Sequence, residues 1–153
     1  PAVMFGPNDA FLTTILKLLN RLPVFPMFGN GQMRLEPVYV DDVGQAIAKI
    51  MQSEQTGPTM FECGGPRVYS YEELLRAVAR AASIKPILFP IPLAAWGALA
   101  RISELLPSPP ITRNQVELMQ IDSVSMPELP GLGALEIRPH SVEEILQEIL
   151  RTH

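Results

Sequence analysis

Apolar and polar residues recur along the chain with two different periods, and each period predicts one kind of element. Short apolar runs bounded by glycine or proline predict strands at residues 2–5, 59–63 and 87–91, and residues 33–40 form a longer extended segment. Apolar residues at helical spacing predict helices that begin near residues 9, 41, 70, 93, 112 and 141. Short strands that alternate with helices indicate an α/β protein.

Helix starts and helix faces give the most detailed local predictions. Ser70 with Glu73, and Ser141 with Glu144, have the spacing of a capping box, and Thr112 is the expected cap of the helix that runs to about residue 121. The faces expected to pack are Leu12, Ile15, Leu16 and Leu19; Val43, Ala46, Ile47, Ile50 and Met51; Leu74, Leu75 and Val78; Ala95, Leu99, Ile102 and Leu106; and Val142, Ile145, Leu146, Ile149 and Leu150.

Two loop features complete the local pattern. Residues 28–31, Phe-Gly-Asn-Gly, predict a hairpin-type turn. The adjacent Asp41 and Asp42 are expected to cap a helix, because neighbouring residues at a helix start point in different directions and do not form a paired acidic site.

The number of predicted strands is too small for a complete doubly wound sheet. We therefore expect residues 1–153 to form a single lobe of a longer chain, whose remaining strands lie upstream. A strand-like run directly after Pro1, with no initiator Met and no targeting segment, agrees with a cut inside a longer protein.

Composition excludes several classes of function. The chain of 153 residues is 47% hydrophobic and 18% charged, so it can bury a core. Its formal charge is −4 and its twelve basic residues are scattered, which argues against a nucleic-acid partner. Cys63, the single cysteine, lies far in sequence from both histidines, so we expect neither a disulfide nor a metal site. No apolar run reaches the roughly 20 residues of a membrane span.

The chemistry of a dehydrogenase is not expected within these residues. A dinucleotide site needs a glycine-rich turn between a strand and a helix, whereas the glycines at 29–31 and 64–65 are typical of plain turns. A proton relay through tyrosine and lysine needs a lysine four residues after the tyrosine. Tyr39, Tyr69 and Tyr71 are followed at that spacing by valine, glutamate and leucine, so no catalytic residue is assigned.

Four ordered segments carry a resemblance to a known family. Residues 1–9 (PAVMFGPND), 37–43 (PVYVDDV), 61–65 (FECGG) and 69–74 (YSYEEL) resemble the later part of the extended short-chain dehydrogenases/reductases. Residues 111–117 (ITRNQVE) and 129–132 (LPGL) look like the nucleotide-binding accessory subunit of respiratory complex I and its bacterial relatives. The resemblance covers nearly all of the chain and implies the substrate-side lobe of a Rossmann-type protein.

The resemblance also implies site residues and a cofactor. Val3, Phe5, Gly6 and Pro7 would lie at the nicotinamide edge of NAD(P), and Gln32, Met33 and Arg34 would line the substrate pocket. The family's glycine-rich loop would precede residue 1, so the full-length parent is expected to bind NAD(P) and the chain alone is not. A simpler interpretation of the same residues is a strand that ends at Gly-Pro and an arginine that is merely solvated.

Alternatives remain open at this point. The resemblance implies a structural lobe that packs on its own N-terminal Rossmann part and docks with complex I subunits or at the membrane boundary. The protein would then be cytoplasmic, peripheral at the inner face of a bacterial membrane, or on the matrix side of a mitochondrion. The alternatives are the substrate-binding part of an NAD(P)-dependent sugar-nucleotide epimerase, dehydratase or reductase, and a free-standing binding domain. An upstream Tyr-x-x-x-Lys would favour the enzyme.

The helix predicted at residues 93–106 poses a separate question. Its apolar residues extend beyond one stripe and leave a narrow polar strip at Gly97, Arg101 and Glu104. Such a helix is either deeply buried in its own fold or docked against a partner.

Overall fold

A computed structural model describes residues 3–7, 9, 11–53, 60–105 and 112–152. Short strands and helices follow one another along these residues, as the hydrophobic pattern predicts for the α/β class. The elements are β1 (Met4–Phe5), α1 (Phe11–Arg21), β2 (Val24–Phe28), β3 (Arg34–Leu35), β4 (Val38–Tyr39), α2 (Val40–Gln52), β5 (Tyr69–Ser70), α3 (Tyr71–Ala81), β6 (Ile87–Ile91), α4 (Leu93–Ser103), α5 (Arg113–Leu118), a 3-10 helix (Leu132–Leu135) and α6 (Val142–Thr152).

The strands form three separate pairs. β1 pairs with β4 and β2 with β6, both in parallel, while β3 and β5 are antiparallel. The β2–β6 pair runs in register from Val24 with Ile87 to Phe28 with Ile91. Pro26 and Pro90 lie inside these two strands, which a two-stranded pair tolerates because each strand has an edge that needs no N–H donor.

The main core lies between α1, α3 and α6. α3 packs against both other helices and carries the largest share of the buried side chains. β2 covers one side of this core with Phe25 and Met27. The buried members on the three helices are Leu12, Ile15, Leu19, Tyr71, Leu74, Leu75, Ala77, Val78, Ala79, Val142, Ile145 and Leu146.

The predicted caps at Ser70, Thr112 and Ser141 are confirmed. Ser70 and Glu73 form both hydrogen bonds of a capping box at the start of α3. Ser141 and Glu144 do the same before α6, and Thr112 with Gln115 opens α5. α5 ends at Leu118, about three residues earlier than its apolar spacing predicts. Side chains that accept backbone N–H groups therefore begin these three helices, which is a property of local sequence.

The predicted hairpin at residues 28–31 is wrong, although the turn is present. Gly29 and Gly31 have positive φ values of 55° and 71°, and a Cβ on Gly31 would lie 2.6 Å from the sulfur of Met27. The strand before the turn, β2, is absent from the sequence prediction and pairs with the distant β6. The strand after it, β3, pairs with β5, so the turn redirects the chain between two different pairs.

The predicted strand at residues 59–63 is also wrong for its described part, residues 60–63. The backbone there is irregular, and Glu62 donates its N–H to the carbonyl of Pro130. The following glycines serve a close approach, because a Cβ on Gly65 would lie 1.8 Å from the carbonyl oxygen of Pro37. Glycine is required at this contact for space.

Two predicted apolar faces are not buried within the described residues. On α2, Ala46 is buried but Ile47, Ile50 and Met51 are exposed. On α4, Leu99 and Ile102 face solvent, and the inward positions are Ala100 and Ser103. α4 is therefore not deeply buried in this fold. No helix among the described ranges is long and apolar enough to cross a membrane.

Candidate functional site

The turn after β1 is held by a short hydrogen-bond network. Asp9 accepts the N–H of Gly6 at 3.0 Å through one carboxylate oxygen and the N–H of Thr13 at 3.1 Å through the other. A Cβ on Gly6 would lie 2.6 Å from Cγ1 of Val40, so the turn sits tightly against the start of α2. This packing fixes where the Gly6-Pro7 edge lies relative to β4.

The four residues predicted at the cofactor edge have different environments. The side chain of Phe5 is buried in the core, with its ring centroid 5.8 Å from that of Tyr39. Gly6 is buried and Pro7 is exposed at the turn. Val3 is half-buried, and its carbonyl accepts the N–H of Val38 at 2.9 Å. The side chain of Phe5 is thus not available to a ligand.

Val3 and Met33 meet in one apolar groove of about 370 Å³. Two further walls come from the start of α1 and from the end of α5 with the segment that follows it. We refer to this space as the β1–α5 groove; its lining residues are Val3, Phe11, Met33, Leu35, Leu118, Met119, Ile121, Asp122 and Ser123.

The segment after α5 is fastened to β3 along its backbone. Ser123 donates its N–H to the carbonyl of Arg34 at 2.8 Å, and its own carbonyl accepts the N–H of Glu36 at 2.9 Å. Glu36 in turn accepts the backbone N–H and the hydroxyl of Ser125, both at 2.6 Å. One wall of the β1–α5 groove is therefore an ordered extension of a strand pair.

Arg34 lies beside the groove in an ion pair with Asp122. Asp122 accepts the backbone N–H of Arg34 at 2.8 Å and its Nε–H at 2.8 Å. The backbone hydrogen bond, and then the guanidinium, lower the pKa of Asp122 below its ordinary value of 3.8. The carboxylate is therefore ionised at neutral pH, and it compensates the charge of the arginine.

Gln32, the third predicted pocket residue, lies outside the groove lining. Its side chain is exposed, and its N–H donates to the side-chain oxygen of Asn30 at 3.3 Å. The structure thus places Met33 in the groove and Arg34 at its margin, but not Gln32. The ligand-binding roles of all seven residues stay predictions.

Sequence reasoning missed most of the groove walls. Leu118 and Ile121 are three residues apart at the end of a predicted helix, so their shared side could have been noticed. Asp122 carries no such signal, because its partner Arg34 is 88 residues away.

A second polar cluster links α2 to the start of α6. Asp42 has no solvent exposure, and its carboxylate contacts the backbone N–H and Nδ1 of His140, each at 2.7 Å. The helix begins at Val40 without a side-chain cap, so the predicted capping role of Asp41 and Asp42 is wrong. The ring of Tyr39 meets His140 edge-on at 5.6 Å. Burial and the hydrogen bond to Asp41 raise the pKa of Tyr39 to about 12.

This cluster is better explained as a contact that holds α2 to the start of α6 than as a catalytic site. A buried carboxylate that orients an imidazole also occurs in acid–base pairs, but those pairs act on a nearby nucleophile. The adjacent hydroxyl, that of Ser141, is used in the cap of α6. Among the described residues, no group of three or more His, Cys, Asp or Glu side chains could hold a metal ion.

Proteins with similar sequences are subunits of a single enzyme. The chain is 30% identical over 155 aligned residues to NADH dehydrogenase (ubiquinone) 1 alpha subcomplex subunit 9 of Rattus norvegicus. It is 27% identical to the protein of the same name in Arabidopsis thaliana and to the NADH-ubiquinone oxidoreductase 40 kDa subunit of Neurospora crassa. No protein-family model matches the chain.

Solved structures with the same fold are Rossmann-type enzymes. A dTDP-glucose 4,6-dehydratase from Streptomyces venezuelae, with NAD and TYD bound, has a TM-score of 0.65 and 18% identity over 98% of the chain. A UDP-glucose 4-epimerase from Thermus thermophilus, in complex with NAD, has a TM-score of 0.61 and 20% identity over 97%. The predicted resemblance is confirmed. The chain is similar in sequence to subunit 9 proteins and has the fold of these solved epimerase and dehydratase structures.

The likeness covers the whole chain but only part of each relative. All of the chain aligns with the rat subunit 9, of which it spans 41%. It spans likewise 41% of the dehydratase and 43% of the epimerase. The groove and the Asp42–His140 cluster therefore lie in a region that corresponds to less than half of each of these similar proteins.

Proposed function

We propose that the chain is the substrate-side, non-catalytic lobe of an NAD(P)-binding accessory subunit of NADH:ubiquinone oxidoreductase, respiratory complex I. The observation that carries this proposal is the similarity to subunit 9 proteins over the full chain, combined with a lobe that has a groove but no proton relay. The relatives' names are those of complex I subunits, whereas the sugar-nucleotide enzymes share only the fold. The epimerase or dehydratase alternative is therefore not proposed.

The cofactor role follows from what this lobe contains and what it does not. In the described residues, no glycine-rich turn joins a strand to a helix N-terminus, the arrangement that holds a pyrophosphate. Val3, Phe5, Gly6 and Pro7 instead offer a tight strand end, which suits the edge of a nicotinamide. In this proposal NAD(P) is bound mainly by a Rossmann part of the same protein, and the lobe contributes that edge.

Exposed apolar residues on β1 and α2 support contact with another part of the same protein. Met4, Val40 and Ile47 are each about half exposed, and Met51 is 81% exposed. β1 pairs with β4 alone among the described strands, so its second edge is open for another strand. In the proposal the Rossmann part extends the sheet at this edge and covers the apolar face of α2.

The outer face of α4 is the proposed contact with the complex. Ile102 is 66% exposed and Leu105 is 85% exposed, and Leu99 continues the same side. Apolar side chains grouped on one face mark interaction sites more often than chance. The protein would lie peripherally on the matrix side of the mitochondrial inner membrane, or at the inner face of a bacterial membrane.

Calorimetric titration with NADPH tests whether cofactor binding requires the Rossmann part. The 153-residue chain should show no binding at micromolar concentration, while a longer protein from the same reading frame should bind. Micromolar affinity of the chain alone for NADPH would overturn the proposal that the Rossmann part binds the cofactor. The upstream sequence provides a second test, because an intact Tyr-x-x-x-Lys there would contradict a non-catalytic role.

Co-migration on native gels tests the association with complex I. In the source organism, the longer protein should migrate with complex I, and Ile102→Asp should weaken that association. Ile87→Asp, at a residue of similar exposure on β6, is the matched control and should leave it unchanged. Migration apart from the complex by the unmodified protein would refute the accessory role.

A further inference from the structure

The β1–α5 groove differs from a sugar-nucleotide site in its electrostatics. Among its described lining residues, Asp122 alone has an ionisable side chain, and that charge is negative. The neighbouring cation, Arg34, already donates its backbone N–H and its Nε–H to Asp122. The margin of the groove therefore presents a neutralised ion pair and no unpaired positive charge.

A nucleoside diphosphate fits these charges poorly. Proteins bind diphosphates with free arginine or lysine side chains or with backbone N–H groups at a helix N-terminus. Here the phosphates would meet the ionised carboxylate of Asp122. The side chain of Arg34 is 61% exposed, but the carboxylate of Asp122 lies 2.8 Å from its Nε and compensates its charge, so the pair attracts a phosphate less than a free arginine would.

The rest of the groove suits an apolar molecule. Its volume of about 370 Å³ lies within the range of small-molecule sites, roughly 300–1,000 Å³. Leu118 and Ile121 leave more than half of their surface exposed at its wall, so a ligand would remove apolar surface from water. Met33 and Met119 are unbranched and flexible, and such side chains adapt to varied apolar shapes.

We propose that the β1–α5 groove binds an uncharged, apolar small molecule and rejects sugar nucleotides. This proposal rests on the proposed function only in taking the groove as the substrate side of the lobe. It assigns the chain a ligand class different from the sugar nucleotides that the solved epimerases and dehydratases process. The ion pair between Arg34 and Asp122 acts as the specificity determinant, since the carboxylate offsets the positive charge that would attract a phosphate.

The test is fluorescence titration of the 153-residue chain with Nile red, an uncharged apolar dye. The dye should bind, and octanol should displace it, whereas UDP-glucose at millimolar concentration should not. Ile121→Lys should weaken dye binding at least about tenfold. Ile87→Lys makes the same change at a residue that is equally exposed but outside the groove, and it should have no effect.

Three results would overturn the proposal. They are displacement of the dye by UDP-glucose, absence of dye binding to the folded chain, and equal effects of the two lysine variants. If Ile121→Lys fails to fold, as judged by circular dichroism, Leu118→Lys at the same wall replaces it. The complex I experiment is independent, so a protein that binds the dye but not the complex would refute only the proposed function.

A second variant tests the role of the ion pair. Asp122→Asn removes the carboxylate and leaves Arg34 uncompensated, so affinity for UDP-glucose should rise several-fold and should fall again with added salt. Unchanged affinity for UDP-glucose in a folded Asp122→Asn variant would show that the ion pair does not set the specificity.

Discussion

Helices α2 and α3 have equally clear amphipathic patterns in the sequence but different surroundings in the fold. α3 buries Leu74, Leu75 and Val78 completely between α1 and α6. α2 buries Ala46 and Asp42 and partly buries Val43, while Ile47, Ile50 and Met51 face solvent. An amphipathic pattern thus predicts that a helix has a partner, but not that the partner belongs to the same set of residues.

The difference follows from what lies next to each helix. α3 has two long helices as neighbours, whereas the main contacts of α2 are with β4 and the short 3-10 helix at residues 132–135. Two short elements cannot cover a helix of 13 residues. The apolar side of α3 is therefore covered by other described residues. The apolar side of α2 is not, and in the proposed function the Rossmann part would cover it.

The largest decrease in stability is expected for a substitution in the core between α1, α3 and α6. Leu75→Ala should lower the free energy of unfolding by about 2–5 kcal/mol, because it leaves a cavity at a fully buried position. Ile47→Ala, on the exposed face of α2, should change it by less than about 0.5 kcal/mol. Urea denaturation of both variants measures this. Similar losses in the two variants would mean that the helices do not differ as described.

Loss of the contact between α2 and the start of α6 should give the next largest decrease in the free energy of unfolding. Asp42→Ala should cost about 1–3 kcal/mol, since it removes the acceptor of two hydrogen bonds from His140. Gln45→Ala, at an exposed position on the same helix, is the control and should cost less than about 0.5 kcal/mol. Equal stabilities of the two variants would show that the Asp42–His140 contact does not hold the helices together.

The cap of α3 should contribute less. Ser70→Ala should reduce stability by about 1 kcal/mol, because the N–H of Glu73 loses its acceptor. Ser70→Asp retains an acceptor and should restore most of the loss. Chemical denaturation of the two variants checks this. If aspartate does not restore stability, the effect of alanine has another cause.

Ionisation of the tyrosines should have the smallest effect on stability, and only at high pH. Burial and Asp41 raise the pKa of Tyr39 to about 12, and burial raises the pKa values of Tyr69 and Tyr71 as well. The unfolded chain ionises near the ordinary value of 10.0, so the stabilisation from Tyr39 is complete below pH 10 and is lost as the pH rises towards 12. Absorbance at about 295 nm should show little tyrosinate at pH 10 in the folded protein. Ionisation with a midpoint near 10 in the folded state would contradict the burial of these rings.

Local features were predictable and long-range ones were not. The caps at Ser70, Thr112 and Ser141 depend on residues three positions apart, so the sequence alone shows them. The pairing of β2 with β6 joins residues about 63 positions apart, and no local pattern near Pro26 indicates it. The hairpin prediction failed for the same reason, because turn residues specify a change of direction and not the partner strand.

The candidate site shows the same limit. Val3 and Met33 were predicted from the resemblance, and the fold brings them into one groove. The ion pair of Arg34 with Asp122 gives the groove its electrostatic character, yet it joins residues that no spacing rule connects. The resemblance identified the candidates, whereas their environment required the tertiary structure.

In the proposed function, α2 belongs to an interface with a second part of the same protein. Amide hydrogen exchange across Val40–Gln52, measured in the 153-residue chain and in a longer protein that includes the proposed Rossmann part, tests it most directly. We expect exchange in α2 to slow by about tenfold or more in the longer protein, while exchange in Tyr71–Ala81 changes less because α3 is already buried. Equal exchange of α2 in the two proteins would contradict the claim.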